Sequence, residues 1–168
     1  NLFEMENTQK EQGLLCARRI ADWICTVQSP SYDNNPSAGS MPWTILENGQ
    51  EWQASGWNMA FSVMGILSAY KVFKDEKYKE CAFNMVRYLK TLQIFDPFIP
   101  GHYGAFREFT PQTPWCYTRD ALSIALAFVY FYNFTHDTEY LKRAQLWGGW
   151  FLKEGLDENG WPKWGVQF

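Results

Sequence analysis

The stretch Pro97–Tyr132, PFIPGHYGAFREFTPQTPWCYTRDALSIALAFVYFY, contains the change of pattern that decides the fold. Its first half is predicted to be a loop, because prolines and glycines interrupt any helical or strand periodicity. The interrupting residues are Pro100, Gly101, Gly104, Pro111 and Pro114. Its second half is predicted to be a helix with Thr118 as N-cap, since residues 121–134 carry no charge. A helix that is apolar on all sides has to be covered on all sides, so we expect it in the interior.

The composition is that of one globular domain, which we place at residues 1–168. The chain is 46% hydrophobic and 20% charged, and it is long enough to bury a substantial core. It is also 18% aromatic, with nine tryptophans, which is more than a core of this size needs. The excess indicates a surface that stacks flat ligands. A net charge of -3 without a stripe of Lys and Arg argues against nucleic acid as a partner.

The cysteines and the uncharged stretches exclude other classes. Cys16, Cys25, Cys81 and Cys116 lack zinc-ligand spacing, and three of them lie in apolar helical patterns, which favours free buried thiols over disulfides. No metal and no cofactor are predicted. The uncharged stretch Trp52–Tyr70 contains several polar residues, which favours a core helix over a membrane span.

Hydrophobic periodicity predicts five helices, alternately amphipathic and apolar. The amphipathic ones are predicted as outer helices at residues 2–27, 77–92 and 139–153, and the apolar ones as inner helices at 56–73 and 118–134. The connections from an inner to an outer helix are short turns. Those from an outer to an inner helix are long loops, which in compact domains are commonly functional.

The chain also repeats itself at a constant offset of 62 residues. The matched pairs are Tyr70 and Tyr132, Asp75 and Asp137, Tyr78 and Tyr140, Ala82 and Ala144, and Tyr88 and Trp150. Such an offset through two helices and their turn is typical of helical-hairpin repeats, in which each unit buries its face against its neighbours. Stacked hairpins send their long loops to one common face.

These features resemble a known superfamily. The A-x5-W spacing of Ala17 and Trp23, the D-x2-Y turn at Asp75 and the loop DENGWPKW at 157–164 are similar to those of (α/α)6 toroid carbohydrate-active enzymes. That superfamily includes glycoside hydrolases, polysaccharide lyases and sugar epimerases. The resemblance implies an all-α toroid and an oligo- or polysaccharide partner. No membrane partner is expected, and the sequence leaves the location open, with a periplasmic or extracellular one favoured over a cytoplasmic one.

The predicted array is shorter than a closed toroid. Six hairpins need about 370 residues at the observed period, and this chain supplies about two and a half hairpins. We therefore expect the missing remainder of the same toroid, or a second chain, as a further partner.

The first candidate catalytic residue is Asp120, at the start of the second inner helix. It is placed to act as general acid or base on a glycosidic oxygen, with Glu108 as the second carboxylate of a hydrolase. Both have a purely structural alternative. An aspartate in a first turn favours the helix dipole, and Glu108 can form a salt bridge in its loop.

His102 and Tyr103 indicate a second mechanism. Either side chain could abstract the proton next to a uronate carboxylate, with Arg107 or Arg119 neutralising that carboxylate, in a lyase or an epimerase. The structural alternative is a loop histidine that bonds backbone. A third hypothesis is a non-catalytic carbohydrate-binding or scaffolding piece.

Aromatic residues of the long loops are the predicted substrate platform. Indole and phenol rings stack on the apolar faces of sugars, or alternatively cover the ends of the helices. The candidates are Trp43, Trp52, Trp115, Tyr117, Trp161 and Trp164.

Overall fold

The computed structural model describes residues 2–31, 34–99 and 101–168, with side chains described from Thr8 onward, so Pro100 lies outside the described residues. Five helices make up most of the fold. They are α1 (Leu2–Val27), α2 (Gly56–Phe73), α3 (Glu76–Thr91), α4 (Thr118–Thr135) and α5 (Thr138–Glu154). Each begins and ends within one residue of the bounds expected from hydrophobic periodicity.

Four short strands lie in the long loops, where the sequence had indicated none. Strands β1 (Pro42–Ile45) and β2 (Glu51–Gln53) form an antiparallel hairpin, with Pro42 opposite Gln53. Strands β3 (Trp115–Tyr117) and β4 (Gly165–Gln167) are also antiparallel, with Cys116 opposite Val166. The second pairing brings the tail of the chain back onto the loop that precedes α4.

The helices form two layers. The inner helices α2 and α4 pack side by side, α3 packs on α2, and α5 packs on α4, while α1 contacts both α2 and α3. The fully buried side chains between the layers include Leu67 of α2, Met85 of α3 and Phe128 of α4. This is the predicted arrangement of helical hairpins. Among the described helices, none is apolar over a sufficient length to span a bilayer.

The turns at the two hairpins have the same geometry, 62 residues apart. Lys74 and His136 end the inner helices in the left-handed region, with φ of 56° and 60°. The next residues, Asp75 and Asp137, are the N-caps of α3 and α5, and each carboxylate accepts a bond from a backbone N–H of the first turn. The sequence repeat is therefore a repeat of cap structure.

Two glutamines tie successive units together in the same way. Each side-chain amide donates one hydrogen bond to a glycine carbonyl in the following loop and one to a carbonyl of the next outer helix. The bonds run from Gln28 Nε2 to Gly39 and Cys81 (3.2 and 2.9 Å), and from Gln93 Nε2 to Gly104 and Arg143 (3.1 and 3.0 Å).

Three local expectations were wrong. The N-cap of α4 is Tyr117 and not Thr118, because the Thr118 hydroxyl donates to the Lys163 carbonyl of the tail. The α4 helix is not covered on all sides, since Leu122 and Leu126 are 54% and 49% exposed. Finally, the thiols are free as expected, but Cys16 is exposed.

The first inner helix also has an open flank. Phe61 and Val72 of α2 are exposed, and an apolar groove of about 320 Å³ runs between α1 and α2. With Leu122 and Leu126 of α4, both inner helices therefore have apolar side chains that the described part of the chain leaves exposed.

Candidate functional site

Glu108 is fixed by backbone groups on both sides of it. Its backbone N–H donates to the Trp115 carbonyl (3.1 Å), and its carbonyl accepts from the N–H of Gly56 at the start of α2 (2.8 Å). Its carboxyl oxygen Oε2 accepts from the N–H of Tyr117 (3.0 Å). The residue is 1% exposed, so its position is set by α2 and β3 together.

Asp120 lies in the first turn of α4 and is 3% exposed. Its Oδ1 accepts a hydrogen bond of 2.7 Å from Nε of Arg119. The Arg119 guanidinium is held over the Trp57 ring, 5.3 Å from its centroid, in a cation–π contact. Arg119 itself is mostly exposed, so the ion pair stands at the boundary between the buried carboxylate and solvent.

Glu108 keeps its proton to a higher pH than an ordinary carboxyl group. Burial first, and then the neighbouring Asp120 carboxyl, raise the pKa of Glu108 to about 8. The Glu108 oxygen Oε1 is buried and has no hydrogen-bond partner among the described protein groups. A buried carboxylate without a counter-charge is unfavourable, so the neutral acid is preferred. Near neutral pH Glu108 is therefore largely protonated.

The carboxyl pair lines a cleft of about 200 Å³. Aromatic rings and small polar groups form the rest of its wall: Trp43, Ser55, Trp57, Asn58, Phe109, Tyr117 and Arg119. Five of the residues singled out in the sequence thus line one cleft: Trp43, Glu108, Tyr117, Arg119 and Asp120.

Sequence reasoning missed the contribution of the α2 N-terminus to this cleft. Ser55 caps α2 by accepting from the N–H of Asn58 (3.4 Å), and its hydroxyl donates to Asn58 Oδ1 (2.8 Å). Trp57 follows the first residue of α2, a position at which a ring fits core and ligand contact equally, and it lines the cleft. The S-x-x-N spacing before the helix was the available signal.

Two more predicted platform residues are connected to the cleft through Tyr117. The Trp115 and Trp164 rings pack against the Tyr117 ring, with centroids at 5.0 and 5.7 Å. Trp161 is 71% exposed, on a turn in which the Asp157 carboxylate accepts from its N–H (2.9 Å). No ring contact within the described structure links Trp161 to the other tryptophans.

Three of the residues proposed for lyase or epimerase chemistry, His102, Tyr103 and Arg107, lie outside this cleft, whereas Arg119 lines it. His102 packs against the Phe168 ring at 5.0 Å, and the Arg107 guanidinium lies over the same ring at 5.6 Å. Arg107 also donates to the Thr113 carbonyl (2.7 Å). Tyr103 packs edge-on against Phe95. Among the described residues, none of these four contacts reaches the cleft.

Trp52 is separated from Trp43 although both belong to the β1–β2 hairpin. It lines a second pocket of about 400 Å³ and not the cleft of the carboxyl pair. Within the described ranges, no three His, Cys, Asp or Glu side chains are grouped so that they could hold a metal ion.

Comparisons with known proteins identify a solved structure with a similar fold. Neither a scan against protein-family models nor a search of curated proteins gave a match. Among solved structures, the chain is similar to an α-1,6-mannanase of Salegentibacter sp. HEL1_6, an inactive variant with two neighbouring aspartates replaced by asparagine, in complex with α-1,6-mannotriose. The TM-score is 0.57 and the identity 21%, over 72% of this chain and 35% of that one. The prediction of part of an all-α (α/α) toroid is thereby confirmed.

Proposed function

We propose that this chain forms part of a carbohydrate-active enzyme, a glycoside hydrolase of oligo- or polysaccharides in which Asp120 is the acid/base residue. The observation that carries the proposal is a pair of buried carboxyl groups, Glu108 and Asp120, in one cleft walled by aromatic rings, where burial raises the pKa of Glu108 to about 8. Hydrolysis of a glycosidic bond needs a carboxyl group that is still protonated at neutral pH. The toroid likeness to a mannanase supports the same class.

The two carboxyl groups have different roles in this proposal. Asp120 sits beside the exposed Arg119 and meets the glycosidic oxygen, to which it transfers the proton as the bond to the leaving sugar breaks. Glu108 is held by backbone hydrogen bonds to α2 and β3, and in this proposal it supplies the proton to Asp120. Glu108 is therefore a positioning residue that acts through Asp120.

This differs from the simple two-carboxylate scheme. Carboxyl groups that flank a scissile bond stand about 5 Å or more apart. Glu108 and Asp120 are buried neighbours, since the Asp120 carboxyl helps to raise the pKa of Glu108, and this leaves no room for a sugar ring between them. The described part of the cleft wall contains no further carboxylate. We propose that the group on the other face of the sugar comes from the remainder of the toroid.

The sugar platform we propose is formed by Trp43 and Trp57, with Tyr117 continuing it toward Trp115 and Trp164. Indole rings at the wall of the cleft offer flat apolar surface to the C–H face of a pyranose. The first substrates to test are α-1,6-linked mannooligosaccharides, because the similar mannanase binds mannotriose.

The test is release of reducing ends from a panel of oligosaccharides by the longest natural version of the polypeptide. Asp120→Asn should lower the rate by about 100-fold or more, since general acid–base catalysis contributes at least that much. Asp96→Asn, which changes an exposed loop carboxylate, is the matched control and should keep the parent rate.

Two outcomes contradict the proposal. Equal rates in the parent and Asp120→Asn would remove Asp120 from the chemistry. Binding of the panel without any turnover would leave a carbohydrate-binding or scaffolding protein. An unsaturated product with new ultraviolet absorbance would instead indicate elimination, for which His102 and Tyr103 are the candidate bases.

A further inference from the structure

A second pocket, distinct from the cleft of the carboxyl pair, lies between the loop after α1 and the β1–β2 hairpin. It has a volume of about 400 Å³. Its wall combines one indole with hydroxyl, amide and carboxylate groups, from Ser29, Ser37, Ser40, Glu51, Trp52 and Gln53. We propose that this pocket is a second carbohydrate-binding site, which takes a neutral sugar unit against the Trp52 ring.

The Gln53 amide points to a ligand that carries hydrogen-bond acceptors. Its Nε2 is buried and has no partner among the described groups. A buried donor without a partner is unfavourable, and a rotation of the Gln53 side chain into the pocket would let it donate to an incoming acceptor. A sugar hydroxyl accepts such a bond and can donate its own proton onward to Glu51 or a serine.

The Trp52 ring supplies the apolar side of the same pocket. It is 54% exposed although it belongs to a strand, in which Thr44 is its partner across the hairpin. An indole beside a row of small polar groups matches the two kinds of surface that a pyranose presents, a C–H face and a rim of hydroxyls. The indole ring and the polar groups are both needed, because either surface alone would also bind ligands that are not sugars.

The charge of the wall excludes acidic ligands. Glu51 is the charged residue among the described residues of the wall, and no Lys or Arg accompanies it. A phosphate or a uronate would meet a carboxylate without a counter-charge, which is unfavourable at short range. The pocket therefore fits neutral sugars.

The hairpin connects the two sites. Pro42 lines the second pocket, whereas the next residue, Trp43, lines the cleft of the carboxyl pair. Trp43 lies at an irregularity in the pairing of β1 with β2, between Pro42 and Thr44, and this hairpin presents Trp43 to the cleft and Trp52 to the second pocket. Binding in the second pocket requires no chemistry in the cleft, and the inference stands apart from the proposed hydrolysis.

The experiment measures binding of neutral trisaccharides by isothermal titration calorimetry in an Asp120→Asn background, which prevents turnover. The probes are α-1,6-mannotriose, maltotriose, cellotriose and xylotriose, with trigalacturonate as the acidic probe. The variants are Trp52→Ala, Gln53→Leu and Trp23→Ala. Trp23 is 53% exposed on α1 and outside the pocket, which makes it a matched control.

We expect Trp52→Ala and Gln53→Leu each to weaken the best neutral probe by about tenfold, the effect of losing one good contact. Trp23→Ala should leave that affinity unchanged. Gln53→Leu should not lower the melting temperature, because the buried amide nitrogen that it removes has no hydrogen-bond partner among the described groups. If no hydrolysis is found but Trp52-dependent binding is retained, the result contradicts the proposed hydrolase function and leaves the second binding site supported.

The inference is overturned if Trp52→Ala and Gln53→Leu bind every probe as the parent does. It is also overturned if no neutral probe shows Trp52-dependent binding at millimolar concentration, or if trigalacturonate binds there more tightly than the neutral probes.

Discussion

The Glu108 side chain is buried, accepts a hydrogen bond from the backbone of β3, and has the Asp120 carboxyl of α4 as a neighbour. Burial and this neighbour raise its pKa from the ordinary 4.5 to about 8. A raised carboxyl pKa means that the folded protein keeps a proton that the unfolded chain has already lost. Because the native state then binds more protons than the unfolded state, stability falls as the pH rises through that interval.

The parent should therefore lose stability between about pH 4.5 and about pH 8, and Glu108→Gln should remove most of that loss. The amide stays neutral, so at the upper end of the interval the variant should be more stable than the parent by about 4 kcal/mol, since the pKa of Glu108 rises from 4.5 to about 8 and one pKa unit corresponds to about 1.4 kcal/mol. Below pH 4.5 the two should be similar. Urea unfolding across the interval measures this.

Glu47→Gln, which changes an exposed loop carboxylate, serves as the control and should follow the parent. If Glu108→Gln declines with pH as steeply as the parent does, the raised pKa of Glu108 does not limit stability.

At the scale of elements, the long loops are tied to the outer helices by the two glutamines. Gln93 is buried, and its amide satisfies a loop carbonyl and an α5 carbonyl at once. Gln28 makes the equivalent pair of bonds one unit earlier, in a less buried setting. Each loop therefore leaves its outer helix in a fixed direction, toward the face where the cleft forms.

Gln93→Ala should lower the free energy of unfolding by about 2 kcal/mol, because it leaves two carbonyls without their donor in a buried place. Gln28→Ala should cost less, since solvent can reach its partly buried surroundings. Chemical unfolding of the two variants gives the comparison. Equal losses for both would show that burial does not set the cost of these bonds.

The glycine that receives the Gln93 bond is constrained as well. Gly104 has a φ of 96°, and a Cβ there would lie 2.9 Å from the Leu146 backbone oxygen. Gly49 has a similar φ of 80° but open space around it, so it isolates the conformational effect.

Gly104→Ala should therefore be clearly more destabilising than Gly49→Ala, for which the left-handed backbone alone costs about 1 to 2 kcal/mol. Thermal unfolding of both variants measures the difference. A Gly104→Ala protein as stable as Gly49→Ala would mean that the loop can move away from α5 without cost.

At the scale of the whole molecule, the repeat explains the groove between α1 and α2. Its α1 wall contains Ala17, Ile20, Ala21 and Ile24. Between α1 and α3 the offset is 65 residues, as it is between Gln28 and Gln93. The equivalent residues of α3 are Ala82, Met85, Val86 and Leu89, which are at most 1% exposed beneath α2. The repeat therefore predicts that an apolar helix, placed as α2 is placed on α3, covers the groove in the complete toroid.

With the groove open, the 168-residue chain should bind the dye ANS, since contiguous apolar surface of this size attracts it. Ile20→Glu places a charge in the groove and should reduce the dye fluorescence severalfold without unfolding the chain, because Ile20 is 55% exposed. Leu152→Glu changes an aliphatic side chain that is 72% exposed outside the groove, and it should have little effect. Equal reduction by both variants would contradict this account.

The sequence by itself determined the helices and their repeat. Hydrophobic periodicity and the caps at Asp75 and Asp137 depend on residues within a few positions of one another, so the linear pattern contains them. The same local logic placed Asp120 in the first turn of α4. It also indicated that the long loops carry the aromatic residues.

Only the tertiary structure decided which loop residues meet. Glu108 reaches Asp120 because the N-terminus of α2 and strand β3 hold it there through backbone bonds. Trp43 and Trp52 diverge because a hairpin sends them to different pockets, and Thr118 loses its cap role because the tail pairs with β3. Backbone pairing between segments far apart in the chain leaves no periodic signal, since any sequence with a free N–H and carbonyl can form it.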